Sequence, residues 1–240
     1  MSDRAGGHDG DRTRQVDRLR EYLRHNQVIA EILQKAPSLA MANWYLGAGC
    51  VAQTVWNLLH GFTPTFGIKD YDLVYHDAAD LSLKAQTRYQ DRATELFAHL
   101  HASVEVQNDA RVHLWYAQHF GYQIAPYESA EAAINSWPTT ATCVGVITAS
   151  AGALHVHAPF GLVDLFDMIV RPNKLRITKE LYEEKTERWT RLWPKLRRVP
   201  WEWLAPRWLG QVVWLLREQE GHSHRSFGEA ANLYQRTTCS

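Results

Sequence analysis

The sequence predicts an α+β (α/β) protein, a short mixed sheet flanked by helices with a helical C-terminal extension, and three observations predict it. "SVEVQN", residues 103–108, alternates Val104 and Val106 against Glu105, the period-two pattern of a half-buried strand. Short apolar stretches near residues 44–47, 71–75 and 142–158 have strand length and are bounded by Gly, Pro or Asp. The segments between them carry apolar residues at helical spacing and stop at Gly or Pro.

The elements follow in order. Residues 1–14, "MSDRAGGHDGDRTR", are almost without apolar side chains and read as a disordered tail, because such a segment cannot offset its own ordering entropy. Val16, Leu19, Leu23, Ile29, Ile32 and Leu33 then predict a helix over residues 15–35, ended at Ala36-Pro37. "NWYLGAGC" gives a strand ending in glycines, and "VAQTVWNLLHG" a helix closed by Gly61. "FTPTFG" is a loop into the strand at 71–75, and a helix covers 83–101. Beyond the 103–107 strand, "ARVHLWYAQHFG" is helical, "SAEAAINSWP" is a short helix capped by Ser129, and 142–158 is a hairpin. "GLVDLFDMIVRPN" is a helix or strand broken at Pro172, and residues 178–194 form a helix capped by Thr178. The main domain thus runs over residues 15–194. Residues 195–240 form a separate extension in which Trp201, Trp203, Trp208 and Trp214 cluster.

Composition narrows the function. The 26 basic and 26 acidic residues cancel, so no global field favours nucleic acid or an anionic membrane. The balance is uneven along the chain: residues 1–170 hold 12 basic and 18 acidic side chains, residues 171–240 hold 14 and 8. Three widely spaced cysteines, Cys50, Cys143 and Cys239, fit neither a disulfide framework nor a zinc ribbon and suit the reducing cytoplasm. No apolar run reaches the length of a membrane span, and the N-terminus lacks a signal-peptide layout.

"GIKDYDLVYHD" places Asp70 and Asp72 on one face of a strand, where two carboxylates repel unless a cation lies between them. A turn cap plus a solvated acid is one reading; a divalent metal site is the other. Glu105, at mid-strand opposite the core-facing valines, is the third acid, or else the outward face of an edge strand. Lys69 and Arg111 are candidates for binding an anionic group such as phosphate, or for ordinary ion pairs. Asp164 and Asp167 read as helix-surface acids, "TTAT" at 139–142 as turn chemistry, and Trp44, Trp56, Trp115 and Trp137 as packing residues. His155-x-His157 and His222-x-His224 lack partners at zinc spacing.

Gly47-x-Gly49 opening a helix, then Asp70-x-Asp72, then Glu105, is an order that resembles the nucleotidyltransferase superfamily typified by DNA polymerase beta. More closely, "NWYLGAGCVAQTVWN", "GIKDYDLVYHD", "VEVQNDARVHLWY", "SWPTTATCVGV", "APFGLVDLFDMIVRPN" and "YEEKTERWTRLWP" resemble a bacterial family of nucleotidyltransferase-like proteins whose substrate is unassigned. The resemblance implies a nucleoside triphosphate substrate, ATP being the first candidate by abundance, and two magnesium or manganese ions held by Asp70, Asp72 and Glu105. It implies phosphates at the Gly47–Gly49 turn and transfer of a nucleoside monophosphate to an acceptor hydroxyl with release of pyrophosphate. The acceptor, whether small molecule, protein or nucleic acid, is left open. So are two alternatives: a non-catalytic nucleotide- or protein-binding module, and a metal-dependent phosphohydrolase or nuclease. Two features depart from the superfamily: Ala48 stands where it usually has a second Gly or Ser, and the interval from Gly49 to Asp70 is longer.

Overall fold

A computed structural model of the chain describes residues 6–149 and 153–202. The first helix, α1 (Gly6–Arg24), begins well before Gln15. Residues 6–14, expected in a disordered tail, are therefore helical. Once the face carrying Leu19 and Leu23 is packed, extending a helix toward its N-terminus adds one hydrogen bond per residue with no new nucleation cost, and Arg14 and Gln15 both donate to Asp11 one turn back. The helix expected over 15–35 is two helices, because Asn26 turns the chain and caps α2 (Gln27–Lys35), its Oδ1 accepting from the Val28 and Ile29 amides. The same buried side chain donates through Nδ2 to Thr54 at 2.8 Å, which ties the break to the body.

Strands β1 (Tyr45–Gly47), β2 (Asp70–Tyr75), β3 (Ser103–Asn108), β4 (Gly145–Thr148) and β5 (Leu154–His157) form one sheet in the order β3-β2-β1-β4-β5. Only β2 and β3 run parallel, joined through α4 (Leu83–Phe97); the other pairs are antiparallel. Register aligns Val106, Leu73, Leu46, Val146 and Val156 across all five strands. All five are buried, and they face the core built with α1, α2, α3 (Gly49–His60) and α4. Fully burying each such side chain stabilises by roughly 1.5–3 kcal/mol.

Helices α5 (Val112–Phe120) and α6 (Ala130–Ile134) follow β3, and α7 (Val163–Phe166) precedes a two-stranded parallel pair, β6 (Ile169–Val170) with β7 (Arg197–Arg198). The segment "GLVDLFDMIV" is thus a helix and then a strand. β7 pairs with the body, so the structured domain continues past Pro194. Trp203, Trp208 and Trp214 of the expected extension lie outside the described residues, whereas Trp201 packs on Tyr182. Helix α8 (Lys179–Leu192), capped by Thr178, lays Tyr182, Trp189 and Trp193 against the core, where Trp189 and Trp193 each meet the Trp56 ring edge-on. No helix among the described residues is long and apolar enough to cross a membrane.

Two expectations about side chains change. Asp164 is not a surface acid: it is buried and held by the Arg171 guanidinium at 3.0 and 3.2 Å and by the Thr140 hydroxyl at 2.6 Å. A buried ion pair of this kind persists because its remaining lone pairs are also satisfied. Ala48, between β1 and α3, has φ +56°, a conformation that favours glycine and strains an L-residue.

Both the strained turn and a buried amide near the other end of α3 can be tested by substitution. Ala48→Gly should relieve the strain and raise unfolding free energy by about 1 kcal/mol in denaturant titration. Asn57 is fully buried: it accepts from the Trp193 indole at 2.6 Å and donates to the Pro64 and Phe66 carbonyls at 2.9 Å. Asn57→Ala strands all three partners and should cost roughly 3 kcal/mol in the same assay.

Candidate active site

The sheet face opposite the core carries the polar counterpart of the buried row. Glu105, Asp72, Gly47, Gly145 and His157 stand side by side across the five strands. The two glycines let the following chain lie flat on the sheet. A Cβ on Gly47 would sit 2.6 Å from the Trp137 ring and 2.7 Å from the Val144 carbonyl; one on Gly145 would sit 2.7 Å from Ile134. The 130–137 segment, with Tyr45 and Val74 beneath it, therefore covers the β1–β4 half of the face. Asn173 secures this cover by donating to the Asn135 and Trp137 carbonyls at 2.7 and 2.9 Å. The β2–β3 half stays open.

That open half is the floor of a cleft of about 1060 Å³. Asp72 and Glu105 line it as parallel-strand neighbours, with Ala48 at the start of α3 beside them. Asp70 shares their face two residues upstream, outside the cleft lining but close enough for its charge to act on Asp72. Burial first, then the charges of Asp70 and Glu105, push the Asp72 carboxyl up to about 7, and Lys185 across the cleft works against them. Asp109, the first residue after β3, is also buried on the cleft wall. Burial, and then the Asp72 charge, hold its carboxyl well above the usual range.

The far wall is the outer face of α8, where Lys185, Arg188 and Arg191 recur at helical spacing, together with Arg176 just upstream. Arg191 is paired with Glu187; Lys185 and Arg188 make no ion pair among the described residues. Aromatic rings complete the lining: Trp115, Tyr116 and Phe120 of α5 and then Tyr127 follow Asp109 in the chain, and Trp137 lies on Gly47 beside the carboxylates. Trp115 and Trp137 are thus half-exposed cleft residues, whereas Trp44 and Trp56 are core.

The structure puts Asp70, Asp72 and Glu105 on one face of the sheet, with Asp72 and Glu105 adjacent in register and Gly47 beside Asp72. It does not bring Lys69 or Arg111 to the cleft lining: Lys69 is exposed, and Arg111 donates to the Leu81 carbonyl and Gln86. The cations of α8 give no signal in the sequence, because "YEEKTERWTRLWP" shows a helix with charges on one side and not what that side faces. Asp109 gives none because one residue beyond a strand end has no periodicity to betray its direction. Thr139 and Thr142 bond to each other at 2.8 Å in a buried turn, and His155 and His157 pack on the Tyr45 ring, so both sets serve the scaffold. His222 and His224 lie outside the described residues.

The donor set suits a hard divalent cation. Carboxylate oxygens are its preferred ligands, and crowded acids that raise one another's proton affinity gain most from a cation. Among the described residues no three acidic, histidine or cysteine side chains close around one point.

Comparison with known proteins bears on the fold and the family. A solved NMR structure described as "a CCA-adding enzyme head domain" superposes with a TM-score of 0.63 at 25% identity, covering 76% of this chain and 94% of that one. No curated protein matches the chain. A nucleotidyltransferase family model matches residues 34–198, which span β1 through β7, the whole carboxylate row and α8. On that match the chain belongs to the nucleotidyltransferase family.

Proposed function

We propose that the chain transfers a nucleoside monophosphate from a nucleoside triphosphate to an acceptor hydroxyl at this cleft. The observation that carries the reading is the juxtaposition of Asp72 and Glu105, in register on adjacent strands, with the start of α3 on one side and the α8 cations opposite. In the step, the acceptor oxygen attacks the α-phosphorus, the bond to the β-phosphate breaks, and pyrophosphate leaves with the bridging oxygen. Asp70, Asp72 and Glu105 would hold magnesium or manganese, which would supply positive charge at the reacting phosphate. Glu105, more exposed than Asp72, takes the acceptor's proton.

Helix α3 has no side-chain cap, and its first-turn amides with the helix dipole favour the triphosphate there. Lys185 and Arg188 stabilise the negative charge that grows on the leaving pyrophosphate. They take the role for which Lys69 and Arg111 are the candidates in the sequence. ATP is the first nucleotide to test.

Asp70→Asn/Asp72→Asn should abolish manganese-dependent binding of nucleoside triphosphates, read by calorimetry, while near-ultraviolet circular dichroism stays native. Absence of such binding in folded wild type would overturn the transferase reading.

The raised Asp72 carboxyl gives a second test, run with chelator present. A folded-state value of about 7 against 3.8 unfolded means that the native state binds the extra proton between those values. Its contribution to stability is complete below pH 4 and is lost as pH rises through 7. Metal-free wild type should therefore lose stability relative to Asp72→Asn between pH 4 and pH 7, and manganese at pH 7 should restore it in wild type alone. Parallel melting curves across that range would contradict the crowded-carboxylate picture.

A further inference from the structure

Asp109 is a buried acid on the cleft wall to which the catalytic reading gives no task. It opens the turn that leads from β3 into α5 and is 3% exposed, and its Oδ2 atom has no hydrogen-bond partner among the described residues. The turn is fixed independently of it. Asn108 accepts from the Ala110 and Asp77 amides and donates to the Asp77 carbonyl. The Asp109 backbone is therefore fixed, while its side-chain Oδ2 is unanswered. A buried acceptor in that state is destabilising unless something supplies a donor.

Its position along the cleft indicates the donor. In the chain it comes directly after β3, past Glu105, which pairs with Asp72 on the cleft floor. Beyond it the chain enters α5, whose Trp115, Tyr116 and Phe120 line the same cleft. Asp109 thus stands between the carboxylate-bearing strand and the aromatic helix that both line the cleft. A nucleotide has the same order of parts: phosphates, then a sugar bearing hydroxyls, then a flat base. With phosphates at the carboxylates and the base against the aromatic rings, the sugar lies at Asp109.

Resting on the transferase reading, we infer that Asp109 binds a ribose hydroxyl of the nucleoside triphosphate and makes the site selective for ribonucleotides. A hydroxyl both donates and accepts, so it pairs with this carboxyl in either protonation state. A site built around such a bond rejects an analogue that lacks the hydroxyl, because the buried oxygen is then left unpaired.

The test uses the full chain with manganese. Calorimetry on the tightest-binding ribonucleoside triphosphate and on its 2′-deoxy and 3′-deoxy analogues is repeated for Asp109→Ala and for Asp109→Asn, which keeps the side-chain volume. Wild type should bind at least one deoxy analogue about tenfold or more weakly, the size of one hydrogen bond to a charged group. In Asp109→Ala the parent and the analogues should bind alike, and in Asp109→Asn the gap should shrink. Equal binding of all three by wild type, or a gap that survives in whichever variant is folded, overturns the inference while leaving the transferase reading in place. Loss of all metal-dependent nucleotide binding by wild type overturns both.

Discussion

The close contact at Gly47 and Gly145 is the constraint from which the site follows. These residues face each other across β1 and β4, and their missing side chains let Trp137 and Ile134 rest directly on the sheet. One half of the polar face is thereby sealed by a compact segment while the other half, bearing Asp72 and Glu105, is left open. Had β1 or β4 carried side chains there, the 130–137 segment would ride higher and its Trp137 ring could not form a wall at the edge of the carboxylates. Gly47 thus acts through what it lacks. The backbone beside it carries related strain at Ala48, where the chain departs from the usual small-residue pattern and accepts a positive φ.

Opposed charge is the second organising principle. The sheet places acids in adjacent register positions, an arrangement that repels itself in a partly buried setting. Relief comes from a helix distant in sequence, since α8 turns Lys185 and Arg188 toward the same space. The acidic first part of the chain and the basic last part meet here, so the charge asymmetry visible in the sequence has a local counterpart in the cleft.

Much of this is legible in the amino-acid sequence. Val104 and Val106 alternating with Glu105 specify both the strand and the side on which the acid lies, because a two-residue period leaves no other arrangement. Asp70-x-Asp72, Ser129, Thr178 and Gly61 are readable by the same local physics of pleats and caps. Long-range facts are not. Asp164 looks like a surface acid because its partner Arg171 lies across a helix end, and nothing in "LVDLF" announces the pairing. Arg111 looks available because its contacts with Leu81 and Gln86 lie 30 and 25 residues away, outside any local pattern. The break at Asn26 is hidden because apolar spacing continues across it almost unchanged.

Helix α8 belongs to two environments at once. Its inner face is clamped by the Trp56, Trp189 and Trp193 edges, and its outer face supplies the cleft's cations. A helix is stiff along its axis, so any rearrangement of those indole contacts is carried across its width to the ammonium and guanidinium groups. The aromatic stack is in this sense a spacer gauge: the distance between cation wall and carboxylate floor is set in the hydrophobic interior, by rings that no ligand ever touches.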